Sequence, residues 1–195
     1  MAGILDMVNQ TLGGDATARI SQQIGADPQA TQAALAAAVP MLLTALTHNA
    51  STPAGAEALH QAVARDHDGS ILGQLGDLIG QGSAGPGAGI LGHLFGNKRE
   101  DAQQSIARSS GLTPQQIAML LTVLAPIVMG AIGKMQRQRG LDSGGLATQL
   151  GEEHAQAAQA SPDLIGLATQ LLTGGDANSM LGNLTKGLGG LLGGR

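Results

Sequence analysis

The sequence repeats itself at a spacing of 86 residues, and this repeat limits the folds open to the chain. The segment Ala2-Gly3-Ile4-Leu5 returns as Ala88-Gly89-Ile90-Leu91. Two prolines, twelve residues apart, recur in both copies although the chain has only 7: Pro28 and Pro40, then Pro114 and Pro126. We therefore predict a tandem duplication of a small multi-helix module.

The repeat predicts two modules followed by a tail. The first covers residues 1–86 and the second residues 87–172, and a Gly/Leu-rich segment over 173–195 ends the chain. Residues 81–89 are rich in glycine, with one proline, which is the composition of a flexible linker.

Helix signals dominate both modules. Asp27 before Pro28 predicts an N-cap, and Thr113 with Gln116 predicts a capping box. Each helix that follows contains an internal proline, which should kink it. The second presents one apolar face: Ile117, Leu120, Leu121, Leu124, Ile127, Val128, Ala131, Ile132 and Met135. Shorter helices are predicted near 3–12, 15–24, 55–66, 70–80, 99–109, 143–160, 162–173 and 176–192. No alternating run of β-branched residues occurs, so the predicted fold class is all-α.

Composition excludes several classes of protein. The chain has no Cys, Trp or Tyr and a single aromatic residue, Phe95, so a disulfide scaffold is excluded and a base-stacking platform lacks its rings. The net charge of -4 disfavours binding to nucleic acid, whose phosphates are also negative. The N-terminus has no basic region followed by a long apolar run, so we expect a cytoplasmic protein.

Two segments raise the alternative of membrane association. Residues 117–133 carry no charge, but seventeen residues are at the lower limit for a membrane span, and the counterpart at 31–47 is weaker. We favour a core helix there. In the tail, four leucines spaced three, four and three apart form a seam: Leu181, Leu184, Leu188 and Leu191. Its many glycines disfavour an isolated helix, so this segment should pack on its own domain, a second copy or a lipid surface. We favour self-packing.

The densest polar cluster is Asp66-His67-Asp68-Gly69-Ser70. It could form a metal site, or His67 and Ser70 could act as base and nucleophile. Neighbouring side chains rarely converge on one ion, however, and no nucleophile elbow surrounds the serine. We favour a turn in which Asp68 or Ser70 caps a following helix. Glu152-Glu153-His154 also lacks the spacing of a zinc motif. The sequence thus predicts no catalytic residue, cofactor or metal.

The segment Ile90-Leu91-Gly92-His93-Leu94-Phe95-Gly96 has two shorter echoes, near residues 71–75 and 180–184. It either docks on a partner or packs small helices within the domain, and the residues alone do not distinguish these alternatives.

These motifs resemble a known family. The chain is similar to the bacterial domain of unknown function 937, which is related to YidB-like proteins. The similar segments are His67 to Leu72, Gly89 to Gly96, and Ser110-Gly111-Leu112 leading to Ala125-Pro126. The resemblance extends from about residue 2 to 172. It implies a small bacterial all-α protein, with homeodomain-like helix packing suggested for the YidB relatives. It implies no established activity, cofactor or catalytic residue.

From the sequence we therefore expect a non-enzymatic, cytoplasmic helical protein that acts by association, beginning with itself. An unidentified protein partner is a further expectation. The alternative is a membrane-associated protein that uses 117–133 or the tail. A metal-dependent hydrolase centred on Asp66, His67 and Asp68, and a DNA-binding protein, rank lower. The predicted interaction residues are Leu91, Leu94, Phe95, Leu181, Leu184, Leu188 and Leu191.

Overall fold

The structure is a computed structural model that describes residues 3–67, 69–81 and 86–173. Ten α-helices make up most of this part of the chain: α1 Ile4–Thr11, α2 Asp15–Ile24, α3 Pro28–Asn49, α4 Pro53–Asp66, α5 Leu75–Gln81, α6 Gly87–Phe95, α7 Arg99–Ser110, α8 Pro114–Arg139, α9 Ser143–Ala160 and α10 Pro162–Thr173. Short 3-10 helices cover Ser70–Gly73 and Gly96–Lys98. The described residues contain no strand, so the all-α prediction is confirmed there.

Both predicted helix starts are confirmed. The Asp27 carboxylate accepts a hydrogen bond of 2.8 Å from the Gln29 amide. Thr113 and Gln116 form the reciprocal capping box. The backbone N–H of Gln116 donates to Thr113 Oγ1 over 3.2 Å, and the backbone N–H of Thr113 donates to Gln116 Oε1 over 3.0 Å. These caps fix the start of α3 and α8, the two long helices.

The helices α3 and α8 form the centre of the protein. Helix α3 packs against α7, α9 and α10, while α8 packs against α1, α6 and α7, and the two long helices touch each other. The buried apolar residues of these helices form one cluster. Helices on both sides of residues 82–85 therefore share a core.

All nine residues of the predicted apolar face of α8 are buried, but burial extends beyond that face and includes every residue of 120–133. Thr122, Met129, Gly130 and Gly133 are buried as well as the residues of the predicted face. Neighbours surround the helix, and its small residues let them approach closely. An added Cβ on Gly133 would collide with the His67 carbonyl.

Three sequence predictions need correction between α4 and α6. The predicted helix over 70–80 is instead a 3-10 helix followed by α5, and Gly69, at φ 90°, is the residue before the 3-10 helix. Ser70 is the first residue of that 3-10 helix and Gly69 takes the N-cap position, while Asp68 lies outside the described residues. The predicted flexible linker ends earlier than expected, because α6 begins at Gly87 and packs against α8.

The helices α3 and α8 are also the two described helices that are long and apolar enough to cross a membrane. In their apolar windows, 67% and 83% of the residues are buried inside the protein. The central helices of a helical core pass the same test of length and composition, so this feature is weak evidence for a membrane span.

Candidate functional site

Two of the segments singled out in the sequence line one depression on the surface. This depression, about 650 Å³ in volume, lies between α4 and α6, and we call it the α4–α6 groove. Residues from Asp66-His67 and Ile71 contribute one part, and Ile90, His93 and Leu94 contribute another. The remaining lining residues are Asn49, Gly55, Ala58, Leu59, Ala62, Arg65, Pro86 and Met129.

The first turn of α4 is held close to the end of α3. Thr52 caps α4 by accepting a hydrogen bond of 3.1 Å from the Gly55 amide. An added Cβ on Gly55 would collide with the Asn49 carbonyl, so only glycine permits this approach. The glycine therefore sets one end of the groove.

The end of α6 is tied to the same point. The Asn49 side chain donates one hydrogen bond of 2.8 Å to the Ala45 carbonyl and another of 3.1 Å to the Leu94 carbonyl. This side chain joins the end of α3 to α6 through one amide group, next to the point where α4 begins.

The middle of the groove is apolar. Leu59 from α4 and Met129 from α8 are buried there, while Ile90 and Leu94 from α6 are half-buried and pack against the core. Ala58 is exposed and Ala62 half-buried on the α4 side. Small side chains face larger aliphatic ones across an open depression, which suits an apolar ligand that lies along it.

The charged and polar residues of the groove do not converge on one point. Arg65 and Asp66 form an exposed ion pair of 3.2 Å with each other. His67 is buried, and its Nδ1 has no hydrogen-bond partner among the residues that the structure describes. Burial lowers the pKa of His67 from its ordinary value, against a smaller opposing effect of Asp66. A histidine held in this way is neutral near pH 7.

The proposed base and nucleophile are on different surfaces. Ser70 lines a second depression, of about 540 Å³, together with Lys134 and Arg137, whereas His67 lines the α4–α6 groove. No group of three or more metal-ligating side chains occurs among the residues that the structure describes. Asp68 of the predicted metal cluster is outside those residues.

The two acidic residues after Gly151 also have different environments. The Glu153 carboxylate is buried and accepts a hydrogen bond of 3.3 Å from the Leu5 amide at the start of α1. Glu152 is exposed, and His154 lines a separate cleft with Thr173. Glu153 thus supports the position of α1 and does not combine with His154 in a ligand site.

The predicted interaction residues have different positions. Leu91 is 0% exposed and Phe95 is 4% exposed, so both belong to the core of their own chain and are not available to a partner in this structure. Leu94, between them, is half-buried and lines the groove. Leu181, Leu184, Leu188 and Leu191 lie outside the described residues.

Several groove residues have no clear signal in the sequence. Asn49, Ala58 and Ala62 are common residues of helices, and their roles depend on contacts between helices that are distant along the chain. Met129 belongs to the uncharged run of α8, where a groove residue cannot be told from a core residue by pattern alone.

The fold and this site define an all-helical protein with one described core and an open apolar groove on its surface. The chain belongs to the family described as bacterial protein of unknown function (DUF937), whose model matches residues 6–135. The expected resemblance is confirmed, and the groove residues from Asn49 to Met129 all lie within the matched part. No curated protein and no solved structure matches the chain.

Proposed function

We propose that this protein acts without catalysis, by binding apolar helical segments in the α4–α6 groove, and that self-association is the first form of this binding. The observation that carries the proposal is the groove itself. Its half-buried aliphatic residues, Ile90 and Leu94, come from a segment for which the sequence left docking open.

The lining of the groove suits an apolar segment better than a polar reactive molecule, because most of it is aliphatic and its few polar groups do not converge on one point. Its volume of about 650 Å³ is within the usual range of ligand sites, and its lining is mainly aliphatic. A helix that enters such a groove contributes aliphatic side chains at three- and four-residue spacing. Burial of those side chains supplies about 25 cal/mol per Å² of apolar area removed from water.

The first experiment measures mass by light scattering during size exclusion, with untagged protein and no detergent. We expect a discrete mass of several chains. Ala58→Lys places a charged side chain in the groove from an exposed position and should lower that mass, as should Leu94→Lys. Leu167→Lys is the matched control, because Leu167 is 42% exposed and lies outside the groove.

A monomer of 19.4 kDa at all concentrations would contradict self-association. Loss of the oligomer in the Leu167 variant alone would move the interface from the groove to α10. Circular dichroism of each variant shows whether the helices are retained.

Membrane association, the alternative, has less support. The span 117–133 lies within α8 and is buried, so insertion would expose the core. Flotation of the full chain with vesicles tests this alternative, and co-migration with neutral lipid would favour it over the groove. We also propose a cytoplasmic location for the protein, which cell fractionation tests.

We also propose that the fold arose by tandem duplication. Helices α2 and α7 both end at a left-handed glycine, Gly25 at φ 63° and Gly111 at φ 74°. Both long helices then begin at a capped proline and contain a second proline. The homeodomain-like packing suggested for the relatives stays a prediction for each copy. A variant in which a second copy of residues 101–114 replaces residues 15–28 should still unfold cooperatively. Loss of cooperative unfolding in this variant would argue against equivalent modules.

A further inference from the structure

We propose that the C-terminal segment of this chain, residues 174–195, is the occupant of the α4–α6 groove. The inference rests on the proposed function, because it names the apolar helix that the groove takes. Three features support it: where α10 ends, what the segment contains, and what the groove presents.

Helix α10 brings the chain close to the groove. Its last residue, Thr173, lines a cleft together with His48 and Ser51. Asn49, the residue after His48, lines the α4–α6 groove and bonds to α6. Eight residue steps separate Thr173 from Leu181, and an extended chain of that length spans roughly 25 Å. The leucine seam therefore starts within reach of the groove.

The segment has the composition that an apolar groove requires. From Met180 to Gly194 its only charged residue is Lys186. The seam leucines follow a spacing of three, four and three, which places them on one side of a helix. Glycines occupy many of the other positions and disfavour a helix that stands alone. Contact with a surface that covers the leucines would offset this cost.

The groove offers the complementary surface. On the α4 side the lining residues Gly55, Ala58 and Ala62 are small and leave room for a backbone to approach. On the α6 side Ile90 and Leu94 are aliphatic and half-buried. Leucine side chains from the segment would pack between them, and the glycines of the segment would let the two helices come close. The exposed Arg65–Asp66 pair stays at the rim, in water.

The chain has no cysteine, so disulfide trapping gives a direct test in the full-length protein. One variant carries Ala58→Cys in the groove and Leu184→Cys in the tail seam. The control carries Ala18→Cys and the same tail change, because Ala18 is an exposed alanine on α2 that does not line the groove. Under mild oxidation we expect the groove pair to form its disulfide at least about tenfold faster, since docking raises the effective concentration.

A second variant of the groove pair adds Leu188→Asp and should remove that advantage. Equal rates for the groove pair and the control pair would overturn the inference. A fast disulfide within one chain supports docking in the same copy, and one between chains supports exchange between copies.

The mass from light scattering keeps the two proposals separate. A monomer with a fast groove disulfide retains this inference and refutes self-association. A discrete oligomer whose groove pair reacts no faster than the control retains self-association and refutes the tail as the occupant.

Discussion

Gly87 and Gly92 lie in the same helix, α6, but their surroundings differ. An added Cβ on Gly87 would collide with the carbonyl of Thr122 on α8, whereas nothing lies within 4 Å of the corresponding position on Gly92. We therefore expect Gly87→Ala and Gly92→Ala to change the free energy of unfolding in opposite directions. Both changes replace glycine by alanine in one helix, Gly87 at its first residue and Gly92 in its interior.

The expected magnitudes follow from the two environments. Overpacking against a backbone costs about 1–3 kcal/mol, so Gly87→Ala should destabilise the protein by about that amount, because the first residue of a helix gains little from helix propensity. Gly92→Ala should stabilise it by about 0.5–1 kcal/mol. At this chain length each kcal/mol shifts Tm by about 2–4 °C.

Urea unfolding followed by circular dichroism measures both values, and it suits a chain without Trp or Tyr. The reasoning would be refuted if the two variants gained stability equally, because Gly87 would then not be in close contact with α8. A further consequence concerns function. If Gly92 lay on a surface where the backbone of a second copy comes close to α6, Gly92→Ala would lower the oligomeric mass while it raised the free energy of unfolding.

Three further changes test the other contacts. Glu153→Ala should lower the free energy of unfolding by about 1–3 kcal/mol, since it leaves the start of α1 without its buried acceptor, whereas Glu152→Ala, at an exposed position, should stay within about 0.5 kcal/mol by urea unfolding. Burial lowers the pKa of His67, so the unfolded chain binds a proton at this histidine more readily than the folded one, and the free energy of unfolding should fall as the pH drops below about 6.5. Urea midpoints measured from pH 8 to 5 should fall less in His67→Asn than in the unchanged protein, and an equal fall would assign the effect to other groups. Thr113→Ala should cost about 1 kcal/mol through loss of the cap of α8, and an unchanged Tm would contradict the role of that capping box.

The sequence predicts the helices well where the signal is local. The caps at Asp27 and Thr113 depend on side chains that bond to amides two or three residues away, so the pattern contains the whole interaction. The region after α4 was predicted less well. Ile71 packs beside Gly130, and the His67 carbonyl lies against Gly133, so the path of this segment depends on a helix more than fifty residues further along the chain.

The candidate site was predicted in part for the same reason. The segment from Ile90 to Phe95 was singled out, but helical periodicity alone did not show which of its residues are internal. The structure places Leu91 and Phe95 in the core and Leu94 on the groove, because α6 packs against α8 and α3. The opposite wall, Ala58 and Ala62, is ordinary in sequence and becomes part of a site only through that packing.

One contact on α8 connects the internal proline to the position of the groove. Pro126 has no amide hydrogen, so the carbonyl of Thr122 lacks its usual partner within the helix. Gly87, at the start of α6, is the residue that lies against this carbonyl, and a weak Cα–H contact with its oxygen is the interaction open to it. The proline that interrupts the hydrogen bonds of α8 and the glycine that begins α6 therefore act together. Their contact is one of those between α6 and α8, and the half-buried side of α6 forms one wall of the α4–α6 groove.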